Sequence, residues 1–199
     1  KYGFKTKVMT NVGRADVIRA FTDYRRQLKS KDKLLIYYAG HGILDEEADE
    51  GYWLPIDATI DDPSGWLANS TITNLIRPIK AGHIMLIADS CYSGKLTRSL
   101  ARVQLSAPEV ERLLSKKTRV ILTSGGLEPV LDGGYEGHSV FTGALLKELG
   151  NNESYLTGTE VFQNLRRKVI LNADQTPEYS DMRKVGHAGG DFVFFSRNK

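Results

Sequence analysis

The chain contains three short and nearly uninterrupted apolar runs, at residues 34–38, 84–88 and 120–123. Strands that are buried on both faces of a sheet have this pattern, whereas strands with one face in water alternate between apolar and polar residues. Segments with helical periodicity separate the runs. This alternation predicts a single α/β domain over residues 1–199, with a mostly parallel sheet and helices on both faces.

The longest amphipathic pattern predicts a helix over residues 14–29. Its apolar side chains recur at helical spacing and share one face, formed by Val17, Phe21, Tyr24 and Leu28. A second helix is predicted over residues 70–77, with Ser70 as its N-cap. Between these two helices, residues 43–51 are interpreted as a solvated acidic loop, and residues 52–54 as a short strand that ends before a proline.

The second half of the chain is predicted to contain two more long helices and a final strand. Residues 141–149 form a helical segment that Gly150 would close. Thr157 and Glu160 have the spacing of a capping box, which would open a helix that runs to about residue 171. Residues 192–195 are predicted to be a strand.

Composition limits the possible functions. The 199 residues are 41% hydrophobic and 26% charged, as in an ordinary globular domain. The net charge of +3 comes without a basic stripe, so we do not expect nucleic-acid binding. No run is long enough to span a bilayer, and no signal-peptide pattern opens the chain. We therefore expect no membrane association and a cytoplasmic location.

The chain has one cysteine, which lies directly after a predicted strand. A single cysteine excludes an internal disulfide and a multi-cysteine zinc site. Cys91 follows the run at 84–88 on a turn rich in serine and glycine, and His41 follows the run at 34–38 between two glycines. The carboxyl ends of parallel strands open onto one edge of a sheet, so these two residues are expected on the same edge. There an imidazole can take the thiol proton and later return it to a leaving amine.

Each residue also has a simpler interpretation. A lone cysteine is often a small buried hydrophobe, and a histidine between glycines is often a turn residue. The remaining histidines (His83, His138 and His187) have no partner at metal-ligand spacing, so we expect no metal site and interpret them as structural or surface residues.

Two motifs resemble those of the caspase-like cysteine peptidases, with metacaspases and their bacterial relatives as the most similar members. They are YYAGHG at residues 37–42 and DSCYSG at residues 89–94, and weaker similarity follows at residues 52–57, 138–142 and 189–194. His41 precedes Cys91 by about 50 residues, the interval found in caspases. The resemblance implies the three-layer caspase-hemoglobinase fold and an endopeptidase with a Cys–His dyad. It implies Cys91 as nucleophile, His41 as general acid and base, and an oxyanion hole formed by the backbone N–H groups of Gly42 and Cys91.

The charge of the residue two positions before Cys91 predicts the substrate preference. Caspases carry a glutamine there and bind an acidic P1 residue, whereas this chain has Asp89. A carboxylate in this pocket favours Lys or Arg at P1 and repels Asp. Asp132 lies where related peptidases place a second pocket residue, and it is predicted to contribute as well. Asp89 could instead hold the turn of Cys91, and Asp132 could be a surface-turn residue.

Three expectations concern what surrounds the site. The chain begins after the first strand and helix of the family fold, so a missing N-terminal segment or a partner domain would complete the sheet and the pocket. No cofactor is expected; calcium activation, known for some metacaspases, is doubtful because Asn69 and Ser70 replace the expected acidic pair and Asp61 and Asp62 lie earlier.

The basic segment 95–117, interpreted as a long connection with a short helix after a proline, predicts self-processing after one of its Lys or Arg residues. The alternatives are a catalytically idle caspase-like binding or scaffold module, a protease with a different P1 preference, and a cysteine acyltransferase or non-peptide hydrolase that uses the same dyad. Bacterial relatives are associated with regulated cell death, and we expect protein or peptide substrates.

Overall fold

A computed structural model describes residues 1–90, 106–125, 137–182 and 184–197 of the chain. In this part of the chain the central sheet has four strands, and their spatial order is β1 (Lys33–Ala39), β5 (His83–Asp89), β6 (Thr118–Thr123) and β8 (Glu178–Asp181). The first three strands are parallel and β8 is antiparallel to β6. The predicted mostly parallel sheet is therefore confirmed.

Helices pack against both faces of the sheet. Alternate residues of each strand form the two faces, since successive side chains point to opposite sides. Alternate residues of β5 divide between two apolar cores: Ile84 and Leu86 face one, and Met85 and Ile87 face the other. Residues of α1 (Arg14–Gln27) and α2 (Asn69–Ile76) pack in the first core; residues of α4 (Val140–Asn151) and α5 (Gly158–Asn172) pack in the second. Helix α3 (Ala107–Leu114) precedes β6.

Smaller elements complete the described part of the fold. One hairpin unit joins β2 (Gly42–Asp45), β3 (Glu50–Trp53) and β4 (Leu67–Ala68) in an antiparallel sheet of three strands. A short 3-10 helix, Pro63–Gly65, precedes β4. Strands β7 (Tyr155–Thr157) and β9 (Val193–Phe195) form a separate antiparallel pair. The last strand predicted from the sequence is thus present, but it pairs with β7.

Three local predictions were wrong, and in the first two a neighbouring strand determines the structure. The predicted acidic loop at 43–51 contains β2 and the start of β3, which satisfy each other's backbone groups. Helix α2 begins one residue before Ser70 with no side-chain cap at its N-cap position; the carboxylate of Glu50, on β3, accepts from the Ser70 N–H instead. Helix α4 continues through Gly150 to Asn151. The capping box of α5 is confirmed, since Thr157 and Glu160 accept from each other's backbone N–H groups.

The N-terminus of helix α1 is capped by Asp57, a residue that follows β3 in the sequence. Both carboxylate oxygens of Asp57 accept from the backbone N–H of Arg14, at 2.9 and 3.1 Å. A Cβ on Gly13 would lie 2.5 Å from Asp57 Oδ2, so only glycine permits this approach. The carboxylate is also favourable for the helix dipole, which is positive at this end.

Arg119 on β6 is fully buried and binds the segment of the chain that leads into β5. Its guanidinium donates to the carbonyl oxygens of Ile79, Ala81 and Gly82, at 2.9, 2.8 and 3.2 Å, and to that of Thr118 at 2.7 Å. Burial lowers the pKa of Arg119 to about 10. The side chain thus supplies donors to carbonyl oxygens of the segment that leads into β5, while the Gly82 carbonyl also accepts from the Thr118 N–H at 2.9 Å.

We expect Arg119→Met to lower the free energy of unfolding by about 3 kcal/mol, because the carbonyl groups of Ile79 and Ala81 lose the donor that Arg119 supplies, at about 1–3 kcal/mol each. Lys117→Met removes the same charge from an exposed neighbouring side chain and should change stability by less than about 0.5 kcal/mol. Urea unfolding of both variants measures the difference. Equal effects of the two changes would contradict a structural role of Arg119.

Candidate active site

The register of the two central strands places the carboxyl ends of β1 and β5 side by side. Strands β1 and β5 are parallel neighbours, and their last paired residues are Ala39 and Asp89. His41 follows Ala39 by two positions, and Cys91 follows Asp89 by two positions. The described residues of this turn end at Ser90, which is buried; Cys91 and Asp132 lie outside the described residues.

His41 lies on an exposed turn whose backbone is held from two sides. Its carbonyl oxygen accepts from the Tyr38 hydroxyl at 2.7 Å and from the Leu54 N–H at 3.0 Å. The imidazole makes no hydrogen bond with any residue that the structure describes. The backbone of His41 is therefore fixed while its ring stays available to a reacting group.

A stacked aromatic pair supports this turn. The rings of Tyr38 and Trp53 lie parallel, with centroids 3.9 Å apart. Burial raises the pKa of Tyr38 to about 12, so its hydroxyl keeps the proton that it donates to His41. A Cβ on Gly40 would lie 2.7 Å from the Tyr38 hydroxyl oxygen, which gives this glycine a packing role.

The backbone N–H of Gly42 points away from the hairpin. Leu54 donates to the carbonyl of His41, which makes these two residues a hydrogen-bonded pair in line with the β2–β3 register. The adjoining pair, Gly42 and Trp53, is then of the non-hydrogen-bonded kind, whose N–H and C=O groups face outward. The Gly42 N–H is thus directed away from β3, on the outer side of β2, which is an edge strand of this sheet in the described part of the chain.

Asp89 is buried, with 6% of its surface exposed, and α4 surrounds one of its carboxylate oxygens. Oδ2 accepts from the hydroxyl of Ser139, the N-cap of α4, and from the Thr142 hydroxyl at 2.6 Å. Tyr37 is hydrogen-bonded to the Thr142 hydroxyl at 2.6 Å. Oδ1 is buried and has no hydrogen-bond partner within the described part of the chain.

The sequence pattern alone did not indicate Ser139, Thr142 or Tyr37 as site residues. The segment 138–142 carried similarity to the family but gave no indication of a contact with Asp89, which is 50 residues before Ser139. The available signal was the helix-start pattern at Ser139, because a side chain near the positive end of a helix can hold an anion.

The other histidines take part in structural contacts or lie on the surface. At the opposite end of the sheet, His83 is hydrogen-bonded to the Thr118 hydroxyl and to the Leu114 carbonyl, both at 3.0 Å, and burial lowers its pKa. Nδ1 of His187 accepts from the Arg119 N–H at 3.1 Å. His138 is exposed before α4.

Acidic residues near the hairpin serve local roles. The Asp62 carboxylate accepts from the Ser64 N–H at 2.9 Å and caps the 3-10 helix, which lowers the pKa of Asp62. Among the residues described, no group of three or more His, Cys, Asp or Glu is arranged to hold a metal ion.

The outer edge of β1 borders a groove of about 470 Å³. Residues 34–41 form one wall, α1 contributes apolar side chains such as Phe21 and Tyr24, and residues from 7 to 12 form the far wall. Within the described residues, β1 pairs with β5 alone. The groove thus runs along an unpaired strand edge and reaches His41 at its end.

Comparison with known proteins defines the class. The family model of the caspase domain matches residues 1–185, so the chain belongs to the caspase domain family. Caspase-1 from Spodoptera frugiperda has a similar structure, with a TM-score of 0.64 and 17% sequence identity over 91% of this chain and 72% of that one. A structural-genomics target protein from Geobacter sulfurreducens matches with a TM-score of 0.55 and 20% identity, over 92% of this chain and 80% of that one. No curated protein matches the sequence.

Family membership has two consequences for the predictions. The caspase fold expected from the resemblance is confirmed by the family match and by the similar caspase-1 structure. Membership also indicates a cysteine peptidase that acts on proteins or peptides.

None of the described helices is long and apolar enough to cross a membrane.

Proposed function

We propose that this protein is a cysteine endopeptidase in which Cys91 is the nucleophile and His41 is the general acid and base. The observation that carries the proposal is the pairing of Ala39 with Asp89 at the ends of neighbouring parallel strands, because His41 and Cys91 follow these two residues by two positions each. Neighbouring strands lie about 4.8 Å apart, a separation that cysteine and histidine side chains can bridge. The free imidazole of His41 on a fixed backbone suits this role.

The reaction would proceed through an acyl-enzyme. His41 takes the proton of the Cys91 thiol, and the thiolate attacks the scissile carbonyl carbon. His41 then gives the proton to the leaving amine as the C–N bond breaks, and a thioester remains. Water attacks this thioester and passes a proton to His41; the C–S bond then breaks, His41 returns the proton to the Cys91 sulfur, and the carboxylic acid product leaves.

The oxyanion hole would use the backbone N–H groups of Gly42 and Cys91. The outward direction of the Gly42 N–H, inferred from the hairpin ladder, supports its part in this pair. Two such donors in a site that excludes water stabilise the negative oxygen of the tetrahedral intermediate.

For specificity, we propose that Asp89 binds a Lys or Arg side chain at P1 and that Asp132 assists it. Support comes from the buried Oδ1 of Asp89, which lacks a partner among the described residues. A buried carboxylate oxygen without a donor is costly, and a cation from the substrate would satisfy it.

Hydrolysis of a fluorogenic peptide with Arg at P1 tests the activity. The proposed enzyme releases the fluorophore, and the Cys91→Ala variant does not. Absence of hydrolysis by the unaltered protein with a panel of P1 residues would favour the idle binding module instead.

Self-processing is a further part of the proposal. We expect cleavage after Lys95, Arg98 or Arg102 rather than after Arg112, because Arg112 lies within α3 and peptidases bind substrates in an extended form. Lys116 and Lys117 flank β6 and are exposed, so they are secondary candidates. Mass spectrometry of the active protein after long incubation would locate the cut, and the Cys91→Ala chain should stay intact under the same conditions. An intact active chain would contradict self-processing.

We also propose that a segment outside residues 1–199 adds to the sheet in the groove beside β1. The edge of β1, unpaired among the described residues, and the groove beside it support this. Addition of a segment that supplies this strand, in the same chain or as a separate peptide, should raise the unfolding temperature of residues 1–199, and no change in the midpoint would count against the added strand.

The sequence motifs support proposals on the subgroup, role and location of the protein. We propose that the chain resembles the bacterial metacaspase-like members of the family. We further propose that it acts on protein substrates in the cytoplasm, in regulated cell death. Catalysis is proposed to need no cofactor, and hydrolysis measured with and without calcium would reveal a requirement.

A further inference from the structure

The two carboxylate oxygens of Asp89 have different surroundings. Oδ2 accepts from the hydroxyl groups of Ser139 and Thr142, while Oδ1 is buried without a partner among the described residues. Both hydroxyl groups belong to the first turn of α4, where Ser139 also accepts from the Thr142 N–H at 2.9 Å. The helix therefore fixes the orientation of the carboxylate.

The direction of each hydrogen bond in this cluster follows from its chemistry. An ionised carboxylate can only accept, so Ser139 and Thr142 donate to Oδ2. Because Thr142 donates its single hydroxyl proton to Asp89, the Tyr37 hydroxyl is the donor in its hydrogen bond with Thr142. Burial raises the pKa of Tyr37, opposed by the hydrogen bond to Thr142 and assisted by the Asp89 charge, and the phenol keeps the proton that it donates.

This arrangement leaves one oxygen for a ligand. Each carboxylate oxygen has about two lone-pair sites, and the two hydroxyl groups occupy both of them on Oδ2. A lysine ammonium needs a single oxygen, whereas an arginine guanidinium binds most strongly when its two parallel N–H groups reach both oxygens. The cluster thus removes the bidentate contact that distinguishes arginine from lysine.

We propose that Ser139 and Thr142 are specificity-determining residues that limit a basic P1 side chain to a one-oxygen contact with Asp89. They act through Asp89 as positioning residues and do not touch the reacting atoms. This inference rests on the proposed peptidase activity and deepens it, because it sets the balance between arginine and lysine at P1.

The test compares kcat/KM for two peptides that differ only in Arg or Lys at P1. In Thr142→Val the freed lone pair of Oδ2 can accept an arginine N–H, so the Arg-to-Lys ratio should rise about tenfold, the effect of one added hydrogen bond to a charged group. Thr142→Ser keeps the hydroxyl and should keep the ratio of the unaltered protein. The ratio is internal to each preparation, so a partial loss of folded protein does not change it.

A second variant covers the case in which Thr142→Val does not fold. Ser139→Gly removes the other hydroxyl at an N-cap position, where glycine is among the accepted residues, and it should raise the ratio in the same direction. Ratios within twofold of the unaltered protein in both variants, or an equal rise in Thr142→Ser, would overturn the inference while peptide cleavage stands. If the unaltered protein cleaves neither peptide, the proposed function fails and the inference fails with it.

Discussion

Replacement of Cys91 with alanine is expected to reduce kcat/KM for peptide hydrolysis by a factor on the order of 10⁴ or more, because the covalent intermediate can no longer form. His41→Ala should cost about 10²–10⁴-fold, the usual contribution of a positioned acid and base. His138→Ala is the matched control, since this histidine is exposed outside the pair of loops and should leave the rate within twofold. Steady-state kinetics with one peptide measures all three.

Alkylation separates the roles of the two residues. The thiolate is the reactive form of cysteine, and a neighbouring imidazole raises its fraction near neutral pH. Iodoacetamide should therefore label Cys91 faster in the unaltered protein than in His41→Ala at pH 7, and the two rates should converge at high pH. Hydrolysis that survives in Cys91→Ala, or labelling that His41→Ala leaves unchanged, would contradict the dyad.

Asp89→Asn is expected to lower kcat/KM for peptides with Arg or Lys at P1 by about 10²-fold or more, since it removes the charge that would face a buried substrate cation. For a peptide with a neutral P1 residue, kcat/KM should change little. The amide oxygen can still accept from Ser139 and Thr142, so the turn before Cys91 keeps its support. Thermal unfolding of the variant checks this point.

The same variant tests the other interpretation of Asp89. If the carboxylate mainly holds the Cys91 turn, Asp89→Asn should lower the rate equally for every P1 residue. A selective loss for basic P1 residues supports the pocket, and a uniform loss would assign Asp89 to the turn alone.

The central sheet was predictable because β5 and β6 are buried along their entire lengths, which produces continuous apolar runs. Strand β8 was missed since its sequence, Glu-Tyr-Ser-Asp, is polar and its stability depends on pairing with β6. Its Tyr179 is buried, and the phenol donates to Asp191, a partner that is remote in the sequence. Local periodicity cannot reveal a strand whose polar groups are satisfied by tertiary contacts.

The candidate site was predictable to a similar extent. The apolar runs predict that His41 and Asp89 lie at the carboxyl ends of two parallel strands, and the register shows that β1 and β5 end side by side. The contacts of Asp89 with α4 could not be predicted, because they depend on how that helix packs against the sheet. The support of His41 by Tyr38 and Trp53 likewise depends on how the β-hairpin unit packs against β1.

A peptide library that varies P1 through all side chains, assayed with and without calcium, tests the proposed peptidase and its pocket together. We expect cleavage after Lys and Arg, no cleavage after Asp, and the same profile in both conditions. Cleavage after Asp in preference to Lys and Arg would contradict the assignment of Asp89 as the pocket carboxylate, and no cleavage of any peptide would contradict the enzyme.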